Sequence, residues 1–303
     1  MEFRQLGNTD LNVTALGYGA MELRELDASD VRQAEFLLNE SLDRGINFID
    51  TSPCYKGSEA FIGKTIAHRR SEYILATKCC CNLTGDGPGH IFNRDTVLSN
   101  IENSLKLMKT DYLDLVQIHT PLPGDLGHED RDETIQTLLS LKDKGIIRYM
   151  GISFKNGRSD EAGYPAEYSY ISFKEYIKYN VFDTMQLVYG ALTPMNELAI
   201  TKAAHKGIGT IVRGVVKKYY DYYDELFIKA KLDELIENGD NRHSFLIRFA
   251  LNHSDLDTMI IGTKSLDHLK QNIVATERGK LPDDIYIESK KRLNDIGVTS
   301  KDL

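Results

Sequence analysis

A chain of 303 residues with a formal charge of −8 lacks the broad basic surface that nucleic acid or an anionic membrane demands, so any anionic ligand must be held by local donors. Its 41% hydrophobic and 27% charged residues suit a soluble globular protein, large enough for one α/β barrel or two medium domains. No apolar run approaches the ~18 residues of a membrane span. The opening MEFRQLGNTD has no cationic stretch leading into an apolar core, so no secretory signal is read and a cytoplasmic location is expected.

In chain order, FRQL and NVTAL flank the turn-forming GNTD, which predicts a β-hairpin. Short apolar runs then recur at 16–20, 46–50, 73–78, 113–118, 147–152, 183–188, 208–213 and 257–262. Segments of helical period lie between them. In residues 29–45, Ala34, Leu37, Leu38, Ser41 and Leu42 fall on one face, with Ser29 or Asp30 to cap the start and Gly45 the end. Residues 93–109 repeat the pattern, and so do residues 130–145.

Eight strand-like runs alternating with helices predict a TIM (β/α)8 barrel with an N-terminal β-hairpin and extra helices outside the barrel. An open doubly wound sheet is the alternative, but LGYGAM lacks the third glycine of a phosphate-binding fingerprint and has no early helix after it. The segment 221–241 and the tail after about residue 280 are expected as additions outside the eight units. No low-complexity linker divides the chain, so residues 1–303 are expected to form a single domain.

In such a barrel the active site lies where the strands end. Those ends supply Asp50, Lys78 and His119 from consecutive units, with Tyr55 in the loop after Asp50. An ammonium beside a phenol favours phenolate and makes the phenol a better acid. A carboxylate keeps that ammonium charged in a partly dry site, and a histidine orients the substrate oxygen. Singly, each residue has a plainer reading: Asp50 as a cap, Tyr55 as packing, His119 as a satisfied core histidine. Lys78 is the exception, because lysine seldom ends a buried run. Together the four suit protonation of a carbonyl oxygen while hydride arrives at the carbon.

On these motifs the chain resembles the aldo-keto reductases. FIDTSPCY is similar to that family's aspartate–tyrosine signature, ATKC to its lysine strand and DYLDLVQIHTP to its histidine strand. The resemblance runs from FRQLGNT to LDHLKQN. It implies a nicotinamide dinucleotide bound without a Rossmann domain, a small carbonyl or alcohol substrate, Tyr55 as acid/base, Lys78 and Asp50 as its tuning pair, and His119 as substrate orienter. It also implies that Ser153 and Gln186 hold the carboxamide. Phe154 stands where asparagine is usual, with Asn156 as its substitute, and Arg213 takes the place of a stacking tyrosine. Gly214, Val215 and Lys217 would follow the pyrophosphate. Gly262, Thr263, Lys264 and Ser265 would form the adenosine-phosphate loop, with His268, Gln271 and Asn272 on the helix after it. Lys264 favours NADP(H) over NAD(H), although His268 and Gln271 replace a family arginine and glutamate.

The four cysteines, Cys54, Cys79, Cys80 and Cys81, are expected as free thiols, since three adjacent positions cannot build a disulfide framework. No metal site is expected, because their spacing with His119 does not form two opposed zinc-binding pairs. Cys54 beside Tyr55 is instead a candidate oxidisable thiol. The long fifth loop carries Tyr164, Tyr168 and Tyr170 as a candidate lid. Tyr219, Tyr220, Tyr222 and Tyr223 form a second aromatic cluster that could stack on substrate. Two rival functions remain: a non-enzymatic nicotinamide sensor, which needs no proton donor, and a lyase or isomerase using Lys78 as a Schiff-base nucleophile.

Overall fold

The computed structural model describes residues 1–27, 29–156, 168–216 and 222–301. Strands β1 (Phe3–Gln5) and β2 (Asn12–Thr14) pair antiparallel, Arg4 opposite Val13, as the expected hairpin. The eight apolar runs become β3 (Leu16–Gly19), β4 (Phe48–Asp50), β5 (Ile74–Cys79), β6 (Leu113–His119), β7 (Ile147–Ser153), β8 (Thr184–Val188), β9 (Gly209–Arg213) and β10 (Thr258–Ile261). Each pairs in parallel with the next, and β10 closes on β3. Closure removes both sheet edges and disposes of the doubly wound alternative.

The helices follow the periodic segments. Helix α1 (Val31–Asp43) buries the predicted face, Ala34, Leu37, Leu38, Ser41 and Leu42. After it come α2 (Ser58–Thr65) and α3 (Arg94–Met108), whose N-cap Asn93 accepts a hydrogen bond from the Thr96 amide. Such a cap contributes about 1 kcal/mol. Helix α4 (Glu133–Asp143) starts three residues later than the periodicity suggested, because Asp132 caps it by accepting from the Ile135 amide. The remaining helices are α5 (Tyr168–Tyr176), α6 (Glu197–His205), α7 (Tyr223–Lys229), α8 (Arg242–Leu251), α9 (Leu266–Glu277) and α10 (Asp283–Asp295). Among the described residues no helix is long and apolar enough to cross a membrane.

The hairpin floors the barrel. Leu6, Leu11 and Val13 pack with Phe48, Ala76, Leu115, Ile211 and Ile260 of the strands. Gly7 is required here. It adopts φ +54°, and a Cβ at this position would stand 2.2 Å from the Gly209 nitrogen. Its amide donates to Asp257 Oδ2 at 3.0 Å, and the Asn8 amide donates to the Gly207 carbonyl at 2.8 Å. With one end sealed by apolar packing, the polar strand ends gather at the other.

Candidate active site

Strands β4, β5 and β6 end side by side and bring their polar tips together. Lys78 Nζ, 1% exposed, donates to Asp50 Oδ1 at 2.6 Å and to the Thr51 carbonyl at 2.9 Å. The other carboxylate oxygen, Asp50 Oδ2, accepts from both Gln117 Nε2 and Gln186 Nε2, each at 3.0 Å. Gln186 Oε1 in turn accepts from the Ser153 hydroxyl at 2.9 Å. Parallel register explains the grouping: Lys78 lies opposite Gln117 and Ser153 opposite Gln186, so each pair of side chains shares a face. A buried ion pair needs its remaining lone pairs satisfied, which the two glutamines do. Gln117, and the bond from Gln186 to Asp50, were not among the residues and roles expected from the sequence. The signal for Gln117 was a lone amide in LDLVQIH, two residues before His119 and so on the same strand face.

Tyr55 lies in the turn between β4 and α2, its amide donating to the Ser52 carbonyl at 2.9 Å. Gly57, at φ +80°, turns the chain from this loop into α2. Lys78 Nζ stands 5.0 Å from the centroid of the Tyr55 ring, and His119 meets that ring edge-on at 6.1 Å. The predicted quartet is therefore one cluster. Burial, aided by the Lys78 charge, holds the His119 imidazole well below its ordinary pKa, so it is neutral. Behind the cluster, buried Glu59 accepts from Thr77 and Ser104, and burial raises its pKa.

The cysteines correct the expectation of four free thiols. Cys54 and Cys81 form a disulfide, while Cys79 and Cys80 are buried thiols. Three adjacent cysteines cannot pair with one another, but Cys81 finds its partner in the loop after β4. Cys80 adopts φ +68°, which breaks the strand alternation and turns Cys81 toward Cys54. The bonded pair also lies close to two histidines. Donor atoms of Cys54, Cys81, His90 and His119 all lie within 4.8 Å of one another. His90 carried no sequence signal, since it comes from an aperiodic loop.

Asp50, Tyr55 and His119 open on a cleft of about 480 Å³ that is also lined by Asn156, Arg213, Gly214, Val215 and Gly262. Ser153 and Gln186 are buried in the strand ends, and Arg213 Nη2 donates to the Phe154 carbonyl at 2.7 Å. Phe154 is wholly buried, whereas the buried Asn156 Nδ2 has no hydrogen-bond partner among the described residues. Gly19 and Gly262 form a close backbone cradle: a Cβ on Gly262 would stand 2.6 Å from the Gly19 oxygen. The orphaned amide and the glycine cradle fit a nucleotide.

Beyond Gly262, the Tyr18 hydroxyl donates to the Thr263 carbonyl at 2.7 Å. Ser265 caps α9 by accepting from the His268 amide, and Lys264 pairs with Glu25 at 2.7 Å. Gln271 and His268 are exposed, while buried Asn272 pairs its Oδ1 with His243 Nε2 at 2.6 Å. Lys217, Tyr164, Tyr219 and Tyr220 lie outside the described residues, as does the side chain of Tyr168. Tyr170 is half-buried and Tyr222 exposed, but Tyr223 belongs to the core.

The fold and this cluster agree with what the chain is similar to. The aldo/keto reductase family model matches residues 15–291. An aldo-keto reductase of Bacillus halodurans, AKR11C1 in its holo form, superposes with a TM-score of 0.78 at 29% identity, covering 96% of each chain. L-galactose dehydrogenase of Arabidopsis thaliana is 27% identical over 91% of this chain and 88% of its own. The uncharacterized oxidoreductase YqkF of Bacillus subtilis is 26% identical over 94% of both. The chain belongs to the aldo/keto reductase family. It is an NAD(P)-dependent oxidoreductase acting on carbonyl or alcohol groups.

Proposed function

We propose that Tyr55 is the general acid/base of a reversible carbonyl reduction and that NADP(H) is preferred to NAD(H). The reading is carried by the Lys78 ammonium, fixed 2.6 Å from Asp50 and 5.0 Å from the Tyr55 ring at the cleft. A nicotinamide held in this cleft would supply hydride chemistry at the substrate carbon, in either direction. Tyr55 gives its hydroxyl proton to the carbonyl oxygen, and Lys78 stabilises the phenolate left behind. Asp50 holds Lys78 in place, itself held by Gln117 and Gln186. Neutral His119 donates a hydrogen bond to the same oxygen. Ser153, Asn156 and Gln186 would take the carboxamide, Arg213 to Val215 would follow the pyrophosphate, and Gly262 to Ser265 would take the adenosine end.

Lys264 supports the NADP(H) preference, a 2′-phosphate competing with Glu25 for its ammonium. The substrate is a small molecule rather than nucleic acid, the chain is one domain, and its place is the cytoplasm. A Schiff-base role for Lys78 is disfavoured, because its nitrogen is buried and committed to Asp50 and Thr51.

The test is Tyr55→Phe. Turnover of generic aldehydes should fall by about 10²–10⁴-fold, the usual worth of a positioned acid, while NADPH affinity by fluorescence titration barely moves. Unchanged turnover rejects the assignment. Parallel titration with NADH decides the cofactor preference.

A further inference from the structure

We infer that Cys54, Cys81, His90 and His119, once the two cysteines are reduced, form a tetrahedral zinc site at the edge of the cleft. Zinc bonds of about 2.3 Å to sulfur and 2.0–2.1 Å to nitrogen place neighbouring ligand atoms roughly 3.3–3.8 Å apart. Cys81 Sγ already stands 3.4 Å from His119 Nδ1, and Cys54 Sγ stands 3.9 Å from His90 Nε2. All four donor atoms lie within 4.8 Å of one another, and the sulfur–sulfur edge has to open as the disulfide is reduced.

The supports of the four ligands are in place. Asn100 clamps the Cys81 backbone, accepting from its amide at 2.7 Å and donating to its carbonyl at 3.1 Å. A β-bridge joins Cys81 to His90, which fixes the second loop ligand against the first. The Ser52 hydroxyl lies 3.4 Å from Cys81 Sγ and accepts from the Cys54 amide at 3.2 Å. Outer contacts of this kind orient ligands in established metal sites. Two thiolates and two imidazoles select zinc over magnesium or calcium, which take oxygen donors.

Four protein ligands make a closed site, which positions residues and leaves no place for substrate on the metal. Its effect falls on His119. Coordination at Nδ1 keeps the ring proton on Nε2, so the histidine is locked as a donor through that nitrogen. The chemistry balances with a dithiol reductant. Two electrons and two protons pass from it to the disulfide, which becomes two thiols, while the reductant closes to its own disulfide. Zinc then displaces both thiol protons.

The experiment treats the full-length protein with a dithiol, removes excess metal, and titrates Zn²⁺ and then Co²⁺ anaerobically. The expected result is one zinc per chain by elemental analysis, with Co²⁺ giving thiolate charge-transfer and tetrahedral absorption bands. Cys81→Ser should cut the charge-transfer absorbance by at least half, since only the Cys54 thiolate is left, and His90→Ala should weaken zinc binding at least tenfold. His90 lies half-buried in a loop, so its variant gives a reading even if Cys81→Ser does not fold. The site is refuted if the reduced, folded protein takes up no zinc, if the disulfide resists the dithiol and no zinc binds, or if uptake ignores both substitutions. None of these readouts depends on turnover, so failure here leaves the Tyr55 assignment standing.

Discussion

The Lys78–Asp50 pair permits a quantitative test of why the barrel mouth tolerates two buried charges. In Lys78→Met the Asp50 carboxylate, 2% exposed, keeps Gln117 and Gln186 as donors but loses its cation. Breaking a buried pair from one side costs about 3–5 kcal/mol. At about 2.1 cal/mol/K per residue, 303 residues give an unfolding entropy of roughly 0.6 kcal/mol/K, so Tm should fall by about 5–8 °C. Asp50→Asn leaves Lys78 with the Thr51 carbonyl and an amide oxygen, and should cost less. The double variant contains neither charge. It should therefore be more stable than the summed single losses predict, by a coupling of about 2 kcal/mol. Denaturant and thermal unfolding of the four proteins by circular dichroism supply the cycle. A coupling below about 0.5 kcal/mol would show that the pair is not interacting as drawn.

Gly262→Ala should weaken NADPH binding at least tenfold, about 1.4 kcal/mol, because its Cβ meets the Gly19 oxygen at 2.6 Å; an unchanged titration rules out the cradle. Gly7→Ala should destabilise by about 2 kcal/mol or more, from the left-handed backbone and the contact with Gly209, with cofactor affinity intact. If its unfolding midpoint matches that of the parent, the floor does not need the close approach. His253 is buried, with Nε2 on the Glu197 carbonyl and Nδ1 accepting from the Asp255 amide, and burial lowers its pKa. The unfolded chain therefore takes up a proton below about pH 6.5 that the folded one refuses, so stability falls as pH drops through that value. His253→Gln should lose this part of the acid dependence. A variant whose stability–pH curve runs parallel to the parent's between pH 7.5 and 5 would contradict it.

The barrel was legible because parallel strands covered on both faces read as unbroken apolar runs, and the helices between them carry a separate period. Asp50, Lys78 and His119 were legible for the converse reason, each being a charged or polar residue closing such a run. Helix starts were less so, since α4 begins at Glu133 behind its Asp132 cap and not at residue 130, where the periodic segment starts. The Cys54–Cys81 disulfide and the approach of His90 were hidden. They depend on one left-handed residue, Cys80, and on loops that meet in space without any periodic mark in the chain. Gln117 was hidden differently, a single amide in an apolar strand whose partner, Asp50, lies 67 positions away.

The floor of the barrel also imposes an order on synthesis. The Gly7 amide is held by Asp257, a separation of 250 residues. At about 5–20 residues per second, roughly 13–50 s pass on the ribosome before that acceptor is made. Of the strands that Leu6, Leu11 and Val13 pack against, the one bearing Ile211 arrives late in that interval and the one bearing Ile260 only at its end, so the earliest apolar residues are among the last to be fully covered and a natural target for a holding chaperone.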